Sequence, residues 1–547
     1  MRRVAVIVAL AVAATALTLP GHGDARRVAV GLARGADPAA VAEAIERRTG
    51  SPPESLAPIP AFVADLPSGV SLHGIHGIRY VEPLATRRLA VTPTDPLVPR
   101  QWYLAYSGFY EPWVTLPAFE PVPVAVIDSG VDTTHPELEG RILDAKSFVG
   151  GSAQDGLGHG TFVAGLIAAT ADNGIGIAGL APSAQLLVAK VVTKSRSIPV
   201  EAEAKAIRWA VDNGARVINM SLGGIRDPLD TGADTYSRLE ADAVAYAISN
   251  GVVVVAAVGN SDQAPESPWK FASYPAALPH VLGVSATTDT GGIPKFSNRD
   301  AIYNDIAAPG TDILSILPRP LTARFPACAE QGYSSCGPDE YRSAQGTSFA
   351  APQVSAAAAV LLSLRPTLRP EQVTRILEST ARDLDPTTGC DECGSGRDPL
   401  SGWGRLDVVA AIGALSRRLA MHDAFEANDD AGPRSFRLTG TTRRIKASVD
   451  FWDDQDDVYG IRLRRDQPVY IGLTGSTSSV DLSLAFWLPG TRSVEGAASL
   501  RYRARVSTRP GGRQYLSYRP RVAGTFYVQV RASSPGQARY RLTVIKG

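Results

Sequence analysis

The sequence predicts an α/β protein built on a doubly wound parallel sheet, preceded by a small α+β unit and followed by a β-sandwich. Three observations carry this prediction. Between residues 91 and 417, short apolar runs alternate with amphipathic segments of helical period, the alternation that builds parallel sheets covered by helices. Most of these runs are apolar on both faces, as strands buried on both sides must be. From residue 418 onward the helical period disappears, and short strand-like runs are separated by Gly and Pro.

Taken in order, residues 1–25 read as an export signal. Arg2 and Arg3 precede the apolar or small run Val4 to Leu19, and Gly23-Asp24-Ala25 offers small residues for cleavage. The run falls short of the ~20 residues a membrane span needs, so removal rather than anchorage is expected, with no membrane association afterwards. In residues 26–90, Val28 to Leu32 alternates like a strand. Asp37-Pro38 caps and starts a helix that Gly50 ends, and Pro60–Leu66 and Ile78–Glu82 are further strands. The Arg-rich stretch Ala85 to Arg88 and the polar Thr92-Pro93-Thr94-Asp95-Pro96 form an exposed, cleavable linker. Residues 91–417 hold strands near Val122–Asp128, Leu186–Val192, Arg216–Leu222, Val252–Gly259 and Val281–Ala286. Helices fit His159–Ala169, Val200–Asn213, Tyr236–Ser249, Ser348–Leu364 and Pro370–Leu384, with Gly214 and Gly251 placed as C-caps. Residues 418–547, starting near Arg417–Asp423, carry strands at Val469–Leu473, Leu482–Phe486, Gln514–Tyr518 and Phe526–Val530.

Composition narrows the function. The length of 547 residues suits three or four domains, and 44% apolar content suits a real core. With 55 Lys and Arg against 54 Asp and Glu, the net charge is +1, so neither a polyanion nor a nucleic acid is implied as a partner. An exported chain meets oxidising conditions. Its cysteines, Cys328, Cys336, Cys390 and Cys393, allow three connectivities. The local pairs Cys328–Cys336 and Cys390–Cys393, each within a loop, are expected.

Three motifs carry chemistry. Asp128 ends a strand in Val126-Ile127-Asp128-Ser129-Gly130, His159 opens a helix in Gly158-His159-Gly160-Thr161, and Ser348 opens another in Gln345-Gly346-Thr347-Ser348-Phe349-Ala350-Ala351-Pro352. All three fall where a doubly wound sheet gathers its functional loops, at the carboxyl edge of the strands. A serine hydroxyl needs a neighbouring base to attack a carbonyl. His159 would take the Ser348 proton while Asp128 holds the imidazole tautomer. Taken singly, Ser348 reads as a helix cap, His159 as a surface histidine and Asp128 as a loop acid. The three motifs together favour the catalytic reading. Asn260, in Ala256-Ala257-Val258-Gly259-Asn260, ends a buried strand where its amide could stabilise an oxyanion. Ser221-Leu222-Gly223-Gly224 exposes backbone to which a peptide could add as a strand.

On these motifs, residues 91–417 resemble the subtilisin family of serine endopeptidases (subtilases), in its subtilisin and thermitase branches. The chain order Asp, His, Ser is theirs, whereas α/β-hydrolases run Ser, Asp, His and chymotrypsin-like enzymes His, Asp, Ser. Residues 26–90 resemble the inhibitory propeptide, with Ile78-Arg79-Tyr80-Val81-Glu82 as its last strand. The tail is similar to the bacterial pre-peptidase C-terminal domain in Asp423-Ala424-Phe425-Glu426-Ala427-Asn428-Asp429 and in Gly524-Thr525-Phe526-Tyr527-Val528.

The resemblance implies a subtilisin-type sheet, the triad Asp128, His159 and Ser348, and Asn260 as oxyanion donor. It implies a primary pocket lined by Gly223, Ala257 and Gly259 over Ser273, and a preference for apolar or neutral residues before the scissile bond. No cofactor is expected for catalysis. Structural calcium is expected in the loop Ala171–Gly179, through Asn173 and the backbone of Ile175 and Ile177, with Glu137 where relatives more often carry Asp, and Asp95 as an N-terminal ligand. The other reading of this loop is a polar turn without metal. Asp453, Asp454, Asp456 and Asp457 in the tail read as a solvated acidic loop, with a second ion as the alternative. Self-cleavage is expected at Ala90, eight residues past Glu82. The picture is a secreted, monomeric enzyme acting on proteins and peptides and inhibited by its own propeptide. The rivals are an esterase-type hydrolase and a non-catalytic peptide-binding scaffold on the same fold.

Overall fold

The computed structural model describes residues 26–67, 69–84, 93–110, 120–324, 340–417, 423–475, 480–494 and 497–547. The expected export signal, the linker with Ala90, and Cys328 and Cys336 lie outside the described residues. Two compact units are present, Met1–Leu89 and Ala90–Gly547.

The N-terminal unit is a four-stranded sheet in the order Glu54–Ser55, Ala61–Leu66, Arg26–Leu32, Ile78–Pro83. The helix Pro38–Thr49 starts where Asp37 accepts the Ala39 amide and stops where Gly50 turns left-handed, φ 81°. Val28, Val30, Val41, Ile45 and Phe62 form its core. The short strand Glu54–Ser55 has no apolar pattern of its own and exists only by pairing with Val63 and Phe62.

The larger unit is organised by a seven-stranded sheet in the order Ile306–Pro309, Val281–Thr287, Val253–Ala257, Val217–Met220, Val122–Asp128, Ala184–Lys190, Ile142–Ser147. All of its pairings are parallel. Successive residues of a strand face opposite sides. Accordingly Val124 and Val126 enter one core, with Phe162 and the helix Thr347–Leu364. Ala125 and Ile127 enter the other, with the helices Val200–Asp212 and Arg238–Ser249. The expected strands and helices are all present, shifted by a few residues at their ends. Ser237 caps its helix by accepting the Glu240 amide, so the turn starts two residues later than Tyr236. The last expected helix stops at Thr380, because Ala381 is extended at ψ 142° and Arg382 pairs with Arg405 instead. The sequence reading missed Ile142–Ser147, an edge strand whose burial is low throughout, and the short strand Ile306–Pro309. Thr347–Leu364, with mean hydropathy 1.4, is long and apolar enough to cross a membrane, but 89% of it lies buried inside the fold. The disulfide Cys390–Cys393 is present.

The tail is a sandwich. One sheet runs Phe436–Leu438, Asp456–Leu463, Gly524–Ala532, Leu482–Trp487, Arg503–Ser507, and the other Thr442–Asp450, Gln537–Lys546, Val469–Gly475, Arg513–Tyr518. Phe486 and Phe526 stack between them at 5.4 Å. The tail packs on the sheet-bearing part through charged contacts. His280 bonds Asp429 at 2.8 Å, Arg238 bonds Asp430 at 3.1 Å, Arg434 meets Asp242 at 3.3 Å, and Arg375 meets Asp450 at 3.3 Å. The acidic loop is therefore not solvated as expected. Asp456 and Asp457 are 7% and 0% exposed, and Asp453 and Asp454 are half-buried, because the turn that carries them closes against His280.

Phe526 fills the sandwich with 0% exposure. Phe526→Ala is expected to lower stability by about 3–5 kcal/mol. In calorimetry the loss should appear in the transition of the unit that contains the tail.

Candidate active site

Asp128 is the last residue of the strand Val122–Asp128 and is 1% exposed. A buried carboxylate must be paired or hydrogen-bonded. It accepts the Ser129 amide at 2.7 Å, and its two oxygens lie 2.8 and 3.0 Å from His159 Nδ1. This contact turns Nε2, the other ring nitrogen, into the catalytically useful one. Burial disfavours the imidazolium, but the charges of Asp128 and Asp155 outweigh it, so the His159 pKa is raised above its ordinary 6.5. Asp155, which the sequence reading passed over, builds this corner. Its carboxylate accepts from Ser129 Oγ, from the amides of Leu157, Gly158 and Thr161, and from Thr161 Oγ1. It thereby fixes the loop entering the helix His159–Ala168. Phe349 packs beside the imidazole, its ring centre 5.4 Å away.

Ser348 is the second residue of the helix Thr347–Leu364. The first N–H groups of a helix have no partner within it and carry the positive end of the dipole. Pro352 stands four residues on and has no N–H to give the Ser348 carbonyl. Ser221 Oγ supplies the missing bond at 2.7 Å. Asn219 in turn donates to Ser221 Oγ at 2.9 Å and accepts from Ser355 Oγ at 2.8 Å. A polar residue in the buried strand Val217–Met220 is the signal that could have found Asn219. Asn260 Oδ1 accepts both the Thr347 amide, at 3.0 Å, and Thr347 Oγ1, at 3.1 Å. With its oxygen doubly occupied, the side chain has its NH2 group left for the cleft.

Asp128, His159, Asn260 and Ser348 line one cleft of about 630 Å³ together with Ser221, Leu222, Gly223, Ala257, Gly259 and Ser273. Gly223 must lack a side chain, since a Cβ there would lie 2.5 Å from the Tyr274 carbonyl oxygen. Gly259 combines φ 96° with Ser273 Oγ 2.2 Å from where a Cβ would stand. Gly224 is outside the cleft lining. Its N–H and C=O both bond Tyr274 at 2.9 Å, so it anchors the segment rather than offering backbone to a ligand. Sequence reasoning missed Asn298, which donates to the Val258 carbonyl at 3.0 Å and reaches Ser273 Oγ at 3.4 Å beneath the pocket.

The loop expected to bind calcium is assembled, but its side-chain oxygens face N–H groups. Asp95 accepts the amides of Asp172, Asn173 and Gly174. Glu137, fully buried, accepts the Ile177 amide and Asn173 Nδ2, while Asn173 Oδ1 accepts the Ile175 amide. Burial pushes the Glu137 carboxyl up to about 7. Glu137 reaches into the loop itself, one oxygen on the Ile177 amide and the other on Asn173 Nδ2. The residues present therefore satisfy one another, and an ion there would have to share these oxygens with the amides that already bond them.

The model of the Subtilase family (Peptidase_S8) matches residues 120–396. The chain belongs to this family. It is 32% identical over 379 residues to fervidolysin of Fervidobacterium pennivorans, covering 62% of this chain and 50% of that protein. To subtilisin E of Bacillus subtilis (strain 168) it is 38% identical over 266 residues, covering 48% and 61% respectively. A subtilisin of Bacillus pumilus is also 38% identical over 266 residues, with 84% of its length covered. The chain thus spans about half to three fifths of the length of the first two relatives.

Three outcomes are expected here. Asn260→Ala should lower kcat on peptide substrates by about 10²–10³-fold with little change in KM, because an oxyanion donor acts in the transition state. The acid limb of kcat/KM against pH should have its midpoint above 6.5. The base works neutral, and a raised pKa moves its deprotonation to higher pH. In Asp128→Asn the midpoint should fall as the charge that raises it is lost, with kcat down on the order of 10⁴-fold.

Proposed function

We propose that the chain is an exported serine endopeptidase that hydrolyses peptide bonds through an acyl-enzyme on Ser348 and is made as a self-processed precursor. The observation that carries this reading is the Asp128–His159 pair sharing one cleft with Ser348 and Asn260. His159 Nε2 takes the Ser348 proton as Oγ attacks the scissile carbonyl. The imidazolium that forms sits beside the Asp128 carboxylate and then protonates the leaving amine. The Ser348 N–H and the Asn260 NH2 group receive the oxyanion. Water then attacks the ester by the same route, with His159 again as base. The substrate lies along Ser221–Gly223 as an added strand.

The pocket walls of Gly223, Ala257, Gly259 and Ser273 carry no charge. Of the acids lining the cleft, Asp128 is committed to His159, and Asp262, two residues past Asn260, is exposed. An apolar or neutral residue before the scissile bond fits this lining. The core that Val28, Val30 and Leu32 form with Phe62 supports residues 26–90 as the prosegment, and residues 418–547 serve as an accessory module. Calcium at the Asn173 loop has weaker support, for the reason of donor geometry given above.

Expression of the full chain tests the reading. The wild type should acquire an N-terminus near Ala90 and react with a fluorescent serine-directed phosphonate, while Ser348→Ala should do neither. A mature N-terminus far from residues 86–96 would sink the processing site. A folded wild type that the phosphonate never labels would sink the catalytic reading.

A further inference from the structure

Where the tail meets the sheet-bearing part, three carboxylates converge. Asp305, which leads into the strand Ile306–Pro309, is 2% exposed, and Glu378, near the end of the helix Pro370–Thr380, is 6% exposed. Asp453 enters from the tail, held in place where its carbonyl accepts the His280 amide at 2.9 Å. One oxygen from each of the three lies within 4.8 Å of the others. Like charges brought this close in a buried site repel strongly and must be neutralised.

The side chains around the cluster fall short of doing so. Asp450 adds a fourth carboxylate that acts on the group. Among the described residues, two guanidinium groups stand against these four. Arg397 lies 3.4 Å from Asp305, and Arg375 lies 3.3 Å from Asp450. The difference, four negative charges against two positive, is two. A second observation is independent of this count. Among the described residues, Glu378 Oε1 is buried and receives no N–H donor, its side chain meeting the Asp453 carboxyl instead, although a buried carboxylate oxygen ordinarily finds a donor. Asp305 Oδ2, by contrast, accepts the Gly283 amide at 2.7 Å, so the orphaned oxygen belongs to the residue that spans from helix to tail.

The geometry points to a divalent cation, calcium by its all-oxygen donor set, held by Asp305 and Glu378 of the sheet-bearing part and Asp453 of the tail, latching the two together. Hard carboxylate oxygens at this density suit calcium, which takes six to eight such ligands at 2.3–2.6 Å. A cation of charge two closes the local deficit. Burial, followed by neighbouring carboxylates, pushes the carboxyls of Asp305 and Glu378 well up and that of Asp453 to about 6. This agrees with a group lacking positive charge. The same deficit could be met by a proton shared between Glu378 and Asp453, and the experiment separates the two.

The site carries its own reporters. Trp452 precedes Asp453 and packs against Trp403, ring centres 5.1 Å apart, with the Arg397 guanidinium 5.0 Å from the Trp452 ring. The full chain carrying Ser348→Ala, which prevents self-digestion, would be stripped with a chelator and titrated with calcium by calorimetry. Terbium luminescence excited through tryptophan would be followed in parallel. This readout needs no proteolytic activity, so it stands apart from the peptidase reading. Glu378→Gln and Asp453→Asn, each made in that background and checked for folding by circular dichroism, should lose one calcium equivalent or bind it at least tenfold more weakly. Both should also lose most of the sensitised luminescence. Glu203→Gln, which alters a buried carboxylate that faces Glu240 instead, should keep both signals. A parent chain that binds no more calcium than Glu378→Gln and Asp453→Asn, with equal luminescence, would overturn the latch and leave the shared proton. If one variant fails to fold, the other still decides, and a parent that binds no calcium at all refutes the site without either.

Discussion

A carboxylate held at the end of a fully buried strand is the constraint on which the active-site architecture rests. Asp128 is 1% exposed, and a charge so placed persists only if donors surround it. The Ser129 amide and the His159 ring meet that need, and in doing so they set the imidazole tautomer and its direction. Asp155 extends the same logic by one layer, gathering the amides of the loop that delivers His159. The geometry of the Asp128–His159 pair thus follows from satisfying buried charge at the carboxyl edge of a parallel sheet.

The serine side obeys the same constraint. A proline at position 352 would leave the Ser348 carbonyl without a donor in the first turns of a buried helix. Ser221 fills that gap, Asn219 orients Ser221, and Ser355 orients Asn219. The chain of bonds ties the nucleophile's helix to the strand that leads into the substrate-binding segment. The positions of Ser348 and of the Ser221 segment are linked through hydrogen bonds as well as through apolar packing.

The junction with the tail shows the opposite balance. There the described contacts are dominated by charge, with Arg238, Arg375 and Arg434 meeting acids and an excess of carboxylates behind them. Interfaces of this kind depend strongly on what neutralises them, because desolvated charges of one sign cost far more than an apolar contact gains. Charged pairs at the junction stand beside the Trp403–Trp452 contact, whereas the sandwich itself is held by an apolar core around Phe486 and Phe526.

The doubly wound sheet, the sandwich and the candidates Asp128, His159, Asn260 and Ser348, which the fold gathers at one cleft, were legible in the sequence, because apolar periodicity and short motifs are local properties that one stretch of chain carries whole. It also indicated the pocket residues Gly223, Ala257, Gly259 and Ser273. It did not show the edge strand Ile142–Ser147, whose burial is low and whose pairing with Ala184–Lys190 is what makes it a strand. Nor did it show that Gly224 is taken up by Tyr274, or that the oxygens of Asp95, Glu137 and Asn173 face backbone amides. An acidic run such as Asp453 to Asp457 looks solvated in one dimension. Only the tertiary structure decides that Asp305 and Glu378, distant in the chain, bury beside it, since charge compensation depends on distances in space that no local pattern encodes.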